Sequence, residues 1–298
     1  MKLLLTGGTG LLGTSLTRSL PETYNTTITY VKNAPQNKKI SSIKMDLSDP
    51  REIKEVLKKT KPQIIIHAAA ATDIEWCEKN PKEAFSINSF ATEIISKEAD
   101  SLKAKVIYIS TDFVFDGEKG NYNEEDMPNP LNVYGKTKLM GEEAVLKYTN
   151  NLVIRTNIYG IDPLPTKQSF ASWVISSLRS GKEILTATDQ IYNPIFADQL
   201  SGYIFELIGK NQAGVWNIAC LDKVNRYQFA SLVSVIFGLD KNLIKQVKLQ
   251  DLINKFGWKA KRPKDTSLDV SKAGKTFKLP TVKASLEAFK NAIETDKE

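Results

Sequence analysis

The stretch KLLLTGGTGLLGTSL, residues 2–16, decides the fold. Residues 2–6 form a short apolar run of strand length, and an apolar helical period starts at Leu11 and carries through 11–20. Between the two patterns, Gly7, Gly10 and Gly13 stand in GxxGxxG spacing. The first permits a tight turn, the second lets backbone approach a pyrophosphate, and the third lets helix pack closely on strand. Where the helix begins, at Leu11, Leu12 and Gly13, free N–H groups and the positive end of the dipole face an anion. A glycine-rich turn of this kind, set between strand and helix, predicts a dinucleotide site; a turn that binds nothing is the bland alternative.

Outward from this turn, short β-rich runs alternate with longer helical patterns, the signature of βαβ units feeding a parallel sheet. Strands are expected at 2–6, 26–31, 43–45, 63–68, 105–110 and 151–155, the second ending at Val31, Lys32 and Asn33. Helices are expected at 11–20, 50–59, 82–102 and 133–147, with Ser48, Asp49 and Pro50 suited to a helix start. The fold predicted is a Rossmann-like, doubly wound α/β sheet with a smaller α-rich substrate-binding domain. Beyond about residue 156 the alternation loosens into a polar loop with Pro163 and Pro165. Helical patterns follow at 168–179, 197–208, 227–238, 249–256 and 282–293, with a strand-like run at 215–219. The expected division gives residues 1–158 and 190–213 to the dinucleotide domain, and 159–189 and 214–298 to the second, with the ligand cleft between them.

Composition narrows the function. The chain has 298 residues, 41% of them apolar and 25% charged, enough for a substantial core. No apolar run approaches the roughly 18 residues of a membrane span, and the first residues do not form a secretory signal, so a cytoplasmic protein is expected. Cys77 and Cys220 lack CxxC spacing and read as small apolar residues in a reducing compartment. A single histidine, His67, excludes a histidine-rich metal site, and no metal is expected. The net charge of +7 favours an anionic partner. The basic stretch 255–278 is interrupted by Asp265 and Asp269 and lacks interleaved stacking aromatics, which disfavours nucleic acid.

Many dinucleotide units carry an acidic residue about 20 positions past the glycines to hold the ribose 2′-hydroxyl. Here neither Asp nor Glu occurs between Glu22 and Asp46, and Lys32 stands near that place. A lysine there attracts a 2′-phosphate, so NADP is favoured over NAD; as an alternative, Lys32 is a solvated loop residue. Asp46 and Leu47 follow the third strand and are placed to flank the adenine, Asp46 otherwise being a helix-starting carboxylate. Ala68, Ala69 and Ala70 are small enough for a cofactor to pass over the sheet edge, and His67 beside them reads as packed or locally hydrogen-bonded.

Tyr134 and Lys138 lie four apart on a helical pattern, so their side chains share one face. A free phenol has a pKa of about 10, and an adjacent ammonium lowers it, which would make Tyr134 a usable acid/base. Ser110 or Thr111, at the carboxyl end of the fifth strand, would hold a substrate carbonyl beside it.

These motifs together resemble the extended short-chain dehydrogenases/reductases, and within them the dTDP-4-dehydrorhamnose reductase family. The likeness runs through TGGTGLLG (6–13), STDFVFDG (110–117), PLNVYGKTKLMGEE (130–143), DQIYNPIFA (189–197) and RPKDTSLD (262–269). The resemblance implies reduction of the C4 ketone of a nucleotide-diphospho-4-keto-6-deoxysugar by hydride from NAD(P)H, in dTDP-rhamnose or other polysaccharide biosynthesis. By motif match, Thr111 orients the carbonyl, Tyr134 donates the proton, and Lys138 holds the nicotinamide ribose and tunes Tyr134. Asn88 matches an asparagine that such reductases carry before the fifth strand, and equally fits an ordinary polar helix residue. The expected partner is the nucleotide-diphospho-sugar, with a homodimer as an option and neither membrane nor nucleic acid. Departures occur where relatives read Arg-Thr-Ser-Trp, here RTNIYG (155–160), and at YNPI (192–195); Trp173 and Trp216 either compensate for the missing tryptophan or belong to the core. Two other functions share the motifs. An NAD-dependent nucleotide-sugar epimerase uses the same Thr/Tyr/Lys set, and 122–138 also resembles the non-catalytic regulatory subunit of methionine adenosyltransferase.

Overall fold

The computed structural model describes residues 1–32, 34–35, 40–163 and 168–295. Asn33 and Pro165, named in the sequence reading, lie outside the described residues. The first half runs β1 (Lys2–Thr6), α1 (Leu11–Arg18), β2 (Asn25–Tyr30), β3 (Ser41–Lys44), α2 (Pro50–Thr60), β4 (Ile64–His67), α3 (Ile74–Lys79), α4 (Pro81–Phe85), α5 (Ala91–Ser101), β5 (Lys105–Ile109), α6 (Val133–Leu146) and β6 (Leu152–Arg155). A π-helical segment, Ser86–Phe90, joins α4 to α5, so the helix expected at 82–102 is one run with a bulge inside it.

The strands form a seven-stranded parallel sheet in the order β11-β6-β5-β4-β1-β2-β3, where β11 is Gly214–Asn217. The central strands are apolar because both faces are covered. Alternate residues divide between two cores. Leu4, Ile65, Val106 and Val153 pack with Ile53, Val56 and Leu57 of α2 and with Ile95 and Ala99 of α5. Leu3, Leu5, Ile64, Ile66 and Ile107 face the other way, onto Leu12 and Leu16 of α1. Helix starts follow local chemistry: the Asp49 side chain accepts from the Arg51 N–H with Pro50 in the first turn of α2, and the Asn132 side chain accepts from the Gly135 N–H to open α6.

The second half contains β7 (Ile158–Tyr159), α7 (Phe170–Arg179), β8 (Ile184–Ala187), β9 (Ile191–Tyr192), β10 (Ile195–Phe196), α8 (Ala197–Gly209), β12 (Val224–Asn225), α9 (Arg226–Phe237), β13 (Ile244–Val247), α10 (Leu249–Phe256), α11 (Ser271–Gly274) and α12 (Val282–Thr295). Three small sheets pair β10 with β7, β12 with β9 and β13 with β8. Gly214–Asn217, which the sequence reading puts in the second unit, runs parallel to β6 in the main sheet, because Val215 and Trp216 pair with Val153 and Ile154. A boundary just before residue 214 therefore cuts through the sheet. The two halves share one core cluster, which reaches from Leu3 to Phe289. Tyr159 sits within it, its ring 5.2 Å from Phe229 and 5.4 Å from Phe289. Among the described residues no helix is long and apolar enough to cross a membrane.

Candidate active site

The chain reverses its direction across the sheet between β1 and β4, the switch point where open α/β sheets leave a crevice at their carboxyl edge. The glycine turn lies there. Gly7 has φ +70°, and a Cβ on it would sit 2.8 Å from the Ala69 Cα. A Cβ on Gly13 would approach the Gly7 carbonyl oxygen to 2.1 Å, so only glycine lets α1 close onto the turn. Gly10 caps α1 without a side-chain hydrogen bond, and the first turn has no acidic residue. The cradle therefore suits the diphosphate of a dinucleotide.

The alanine loop is fixed from below. The Ala69 N–H donates to Thr6 Oγ1 at 3.2 Å, and that hydroxyl lies 2.7 Å from His67 Nδ1. Asn88, in the π-helical segment, accepts from the Ala71 N–H (2.8 Å) and donates to the Ala71 carbonyl and to Thr137 Oγ1 (3.0 Å each). It thus ties the loop to α6. His67 is packed: burial brings its pKa down to about 3, which removes it as a base at neutral pH.

One cavity of about 2820 Å³ spans the cleft. Every residue expected at the site lines it except Lys138: Gly7, Gly10, Leu11, Leu12, Gly13, Lys32, Asp46, Leu47, Ala68, Ala69, Ala70, Thr111 and Tyr134. Lys32 is exposed at its edge. Asp46 accepts from both the N–H and the hydroxyl of Ser48 through Oδ1, at 2.8 and 2.7 Å, so one carboxylate oxygen caps its own turn.

Thr111 lines the cavity and caps a 3₁₀ turn, accepting from the Phe113 N–H at 3.2 Å and donating to Asp112 Oδ1 at 3.0 Å. Asp112 also accepts from Thr266 Oγ1 (2.6 Å) and Asn157 Nδ2 (2.9 Å). Its carboxylate thus gathers three of the quoted motifs into one wall. Burial raises its pKa above the ordinary value against these hydrogen bonds. Ser110, the other candidate hydroxyl, donates to Glu142 Oε1 at 2.5 Å and is thereby turned to a different partner.

Tyr134 stands in the first turn of α6. Here the structure corrects the sequence argument: burial raises the phenol pKa well above its ordinary value, opposed by the Thr111 hydroxyl, and no lowering by Lys138 is among the causes. Lys138 is buried behind the cavity wall. Its Nζ donates to the Ile109 carbonyl at 2.7 Å and lies 4.0 Å from the centre of the Tyr108 ring. Burial brings its pKa down to about 7, against the charge of Glu142. The spacing of the pair is as expected, but its electrostatics are set by desolvation.

The cavity also carries groups to which the sequence reading gave no role. The Arg226 guanidinium stacks 3.9 Å over Tyr192 and 4.7 Å over Phe170. Arg262 stacks 3.9 Å over Trp258 and pairs with Glu75 at 3.1 Å. Both line the cavity. Burial lowers the Arg262 pKa, and the charge of Arg226 adds to the effect. Two cations lining one cavity suit an anionic ligand. Arg262 opens RPKDTSLD and could have been flagged from that motif; Arg226 sits in no motif. Trp173 lines the cavity and stacks on Phe170 at 5.6 Å, whereas Trp216 is buried beside Phe277 and belongs to the core.

Comparison with known proteins identifies the family and the fold. Residues 1–295 match the family described as RmlD substrate binding domain. A probable low-salt glycan biosynthesis reductase, Agl14 of Haloferax volcanii, is 30% identical over 295 residues, 97% of each chain. The methionine adenosyltransferase 2 subunit beta of Mus musculus is 28% identical over 282 residues, covering 91% of this chain and 81% of that protein. A hypothetical dTDP-4-dehydrorhamnose reductase from Sulfolobus tokodaii superposes with a TM-score of 0.83 at 35% identity, over 94% of this chain and 96% of that one. The dTDP-4-dehydrorhamnose reductase of Bacillus anthracis, solved with NADP, gives 0.83 at 25% identity, over 97% and 98%. With the family match running almost end to end, the chain belongs to the RmlD substrate-binding-domain family of extended short-chain dehydrogenases/reductases, alongside the dTDP-4-dehydrorhamnose reductases.

Proposed function

We propose that the protein is an NADP-dependent reductase of the C4 ketone of a nucleotide-diphospho-4-keto-6-deoxysugar. The observation that carries the reading is that one cavity is lined by the glycine turn Gly7–Gly13, by Thr111 and Tyr134, and by Arg226 and Arg262. The sheet-bearing half would hold the dinucleotide and the remainder the sugar. Lys32 would meet the 2′-phosphate, Asp46 and Leu47 the adenine, and Ala68, Ala69 and Ala70 would let the cofactor pass over the sheet edge. When bound, the reduced nicotinamide supplies the hydride.

The chain's own residues supply the rest. Arg226 and Arg262 would bind the substrate diphosphate and so aim the sugar at Thr111. Thr111 would orient the carbonyl, and Tyr134 would donate the proton to the forming alkoxide. Burial keeps Tyr134 protonated at working pH, so a proton is in place when an alkoxide forms beside it. Lys138 would hold the nicotinamide ribose only by turning its Nζ from the Ile109 carbonyl into the cavity.

The test is a panel of dTDP-, UDP-, GDP- and CDP-linked 4-keto-6-deoxysugars, with NADPH consumption as readout. Turnover of at least one is expected; none with any base would contradict the reading. The likeness to the methionine adenosyltransferase beta subunit favours a second reading, a non-catalytic dinucleotide-binding subunit, which predicts NADPH binding with no turnover anywhere in the panel. Protein that retains stoichiometric oxidised cofactor would instead favour an epimerase.

A further inference from the structure

The end of α10 carries aromatic groups that the chemistry proposed above leaves unused. Leu249, Leu252, Ile253 and Phe256 recur at helical spacing and form the apolar stripe of α10. The first three belong with Leu185 and Ala187 of β8 to one small core cluster. Phe256, the last, is 55% exposed. Gly257 caps the helix in the left-handed conformation (φ +62°), and the chain turns back so that the Trp258 N–H donates to the Ile253 carbonyl at 3.2 Å. The turn lays Trp258 against Phe256, with ring centres 5.5 Å apart and planes 24° from parallel. Arg262 continues this set of stacked planes, 3.9 Å over Trp258. Glu75 fixes the segment from α3, its carboxylate accepting from the Lys259 N–H at 2.9 Å, the Ala260 N–H at 3.3 Å and Arg262 Nη2 at 3.1 Å.

An aromatic ring left in water inside a cleft marks a contact that a ligand completes. Among the described residues, the exposed large apolar side chains that line the cavity are Val31, Trp76 and Phe256. Val31 adjoins Lys32, at the end proposed for the dinucleotide. Trp76 instead adjoins Glu75, and Phe256 belongs to the Arg262 stack, so the exposed aromatic surface gathers beside a guanidinium. In a nucleotide sugar the base stands one ribose away from the diphosphate. Between the Arg262 guanidinium and Phe256 stands a single indole, which sets a phosphate contact and a free ring face at that kind of separation. A base presents a π-face to such a ring, whereas a hexose presents hydroxyls for which Phe256 has no partner.

We propose that Phe256, backed by Trp258, is the stacking platform for the base of the nucleotide-diphospho-sugar, with Arg262 on its diphosphate. The assignment rests on the nucleotide-sugar reading above, but not on the reduction step.

The test is calorimetric binding of dTDP, UDP and inorganic pyrophosphate at saturating NADP⁺, which occupies the dinucleotide site and prevents turnover. Phe256→Ala is expected to weaken both nucleotides by about tenfold, the scale of one lost base–aromatic stack, and to leave pyrophosphate nearly unchanged. Phe256→Tyr, which keeps a ring, should bind both nucleotides nearly as wild type does, and Phe256→Leu, apolar without a π-face, should lose most of what the alanine variant loses. Because Phe256 is more than half exposed, none of these changes opens the core. Nucleotide affinity unchanged in Phe256→Ala, an equal loss for pyrophosphate, full retention in Phe256→Leu, or wild-type protein that binds neither nucleotide would each overturn the proposal. The reduction is judged separately. Ring-dependent nucleotide binding in a protein that reduces no ketosugar would sink the reductase reading and leave the base site standing, and turnover with nucleotide affinity unchanged in Phe256→Ala would do the reverse.

Discussion

At the scale of single residues, burial overrides spacing. Tyr134 and Lys138 stand where a sequence argument wants them, but each is held in its neutral form more strongly than in water, by a surrounding that the spacing does not show. Two side chains that line the cleft carry predictions of their own. Lys32 is exposed at the cavity rim, so Lys32→Ala should weaken NADPH by about tenfold, one lost charge-assisted contact, and NADH much less. Fluorescence titration of both cofactors checks this, and equal losses would remove the NADP preference. Arg226→Ala should raise KM for the nucleotide sugar by about tenfold or more and change kcat less, as expected for uniform binding lost at the diphosphate. A fall in kcat at constant KM would place Arg226 in the chemistry instead.

At the scale of elements, α6 is the part on which the site depends. It carries Tyr134, Lys138 and Glu142, and it is set by the Asn132 cap and by close contact with β5 at Gly141. A Cβ on Gly141 would lie 2.2 Å from the Tyr108 hydroxyl and 3.0 Å from the Asn88 carbonyl. Gly141→Ala should therefore destabilise the protein by about 1–3 kcal/mol, seen as a lower Tm, while an unchanged Tm would mean that the two elements part easily. Such features explain what could be read from sequence. α1, α2 and α10 announce themselves by apolar period, α6 by its Asn132 cap, and the central strands by short apolar runs. β7, β9, β10 and β12 are two residues each, too short for any period to exist. α3 carries Asp73 and Glu75 at its start with Cys77 as its buried residue, and so shows no apolar stripe. The Arg226 site was illegible for another reason: Phe170, Tyr192 and Arg226 converge from three separate elements, and no local pattern marks their meeting.

At the scale of the whole molecule, the two halves share a core and both line the cleft, so the proposed cofactor and sugar sites stand or fall together with the fold. This gives a pH dependence with a definite sign. His67 is buried between Thr6 and Thr92, and its folded pKa of about 3 lies below the ordinary value of 6.5. Protons therefore bind the unfolded chain first, and stability present above pH 6.5 is lost progressively as the pH falls toward 3. Thermal melts across this range should show a declining Tm, less steep in His67→Asn; identical slopes in both proteins would assign the acid sensitivity to other groups.

The central claim is that a buried phenol on α6 gives its proton to the substrate. Its most direct test is Tyr134→Phe, assayed with an active ketosugar at saturating NADPH alongside a titration of cofactor binding. The variant should keep a Kd for NADPH close to wild type and lose about two orders of magnitude or more in turnover, the scale of lost general-acid catalysis. Turnover within a few-fold of wild type, or a loss of NADPH affinity that matches the loss of rate, would contradict it.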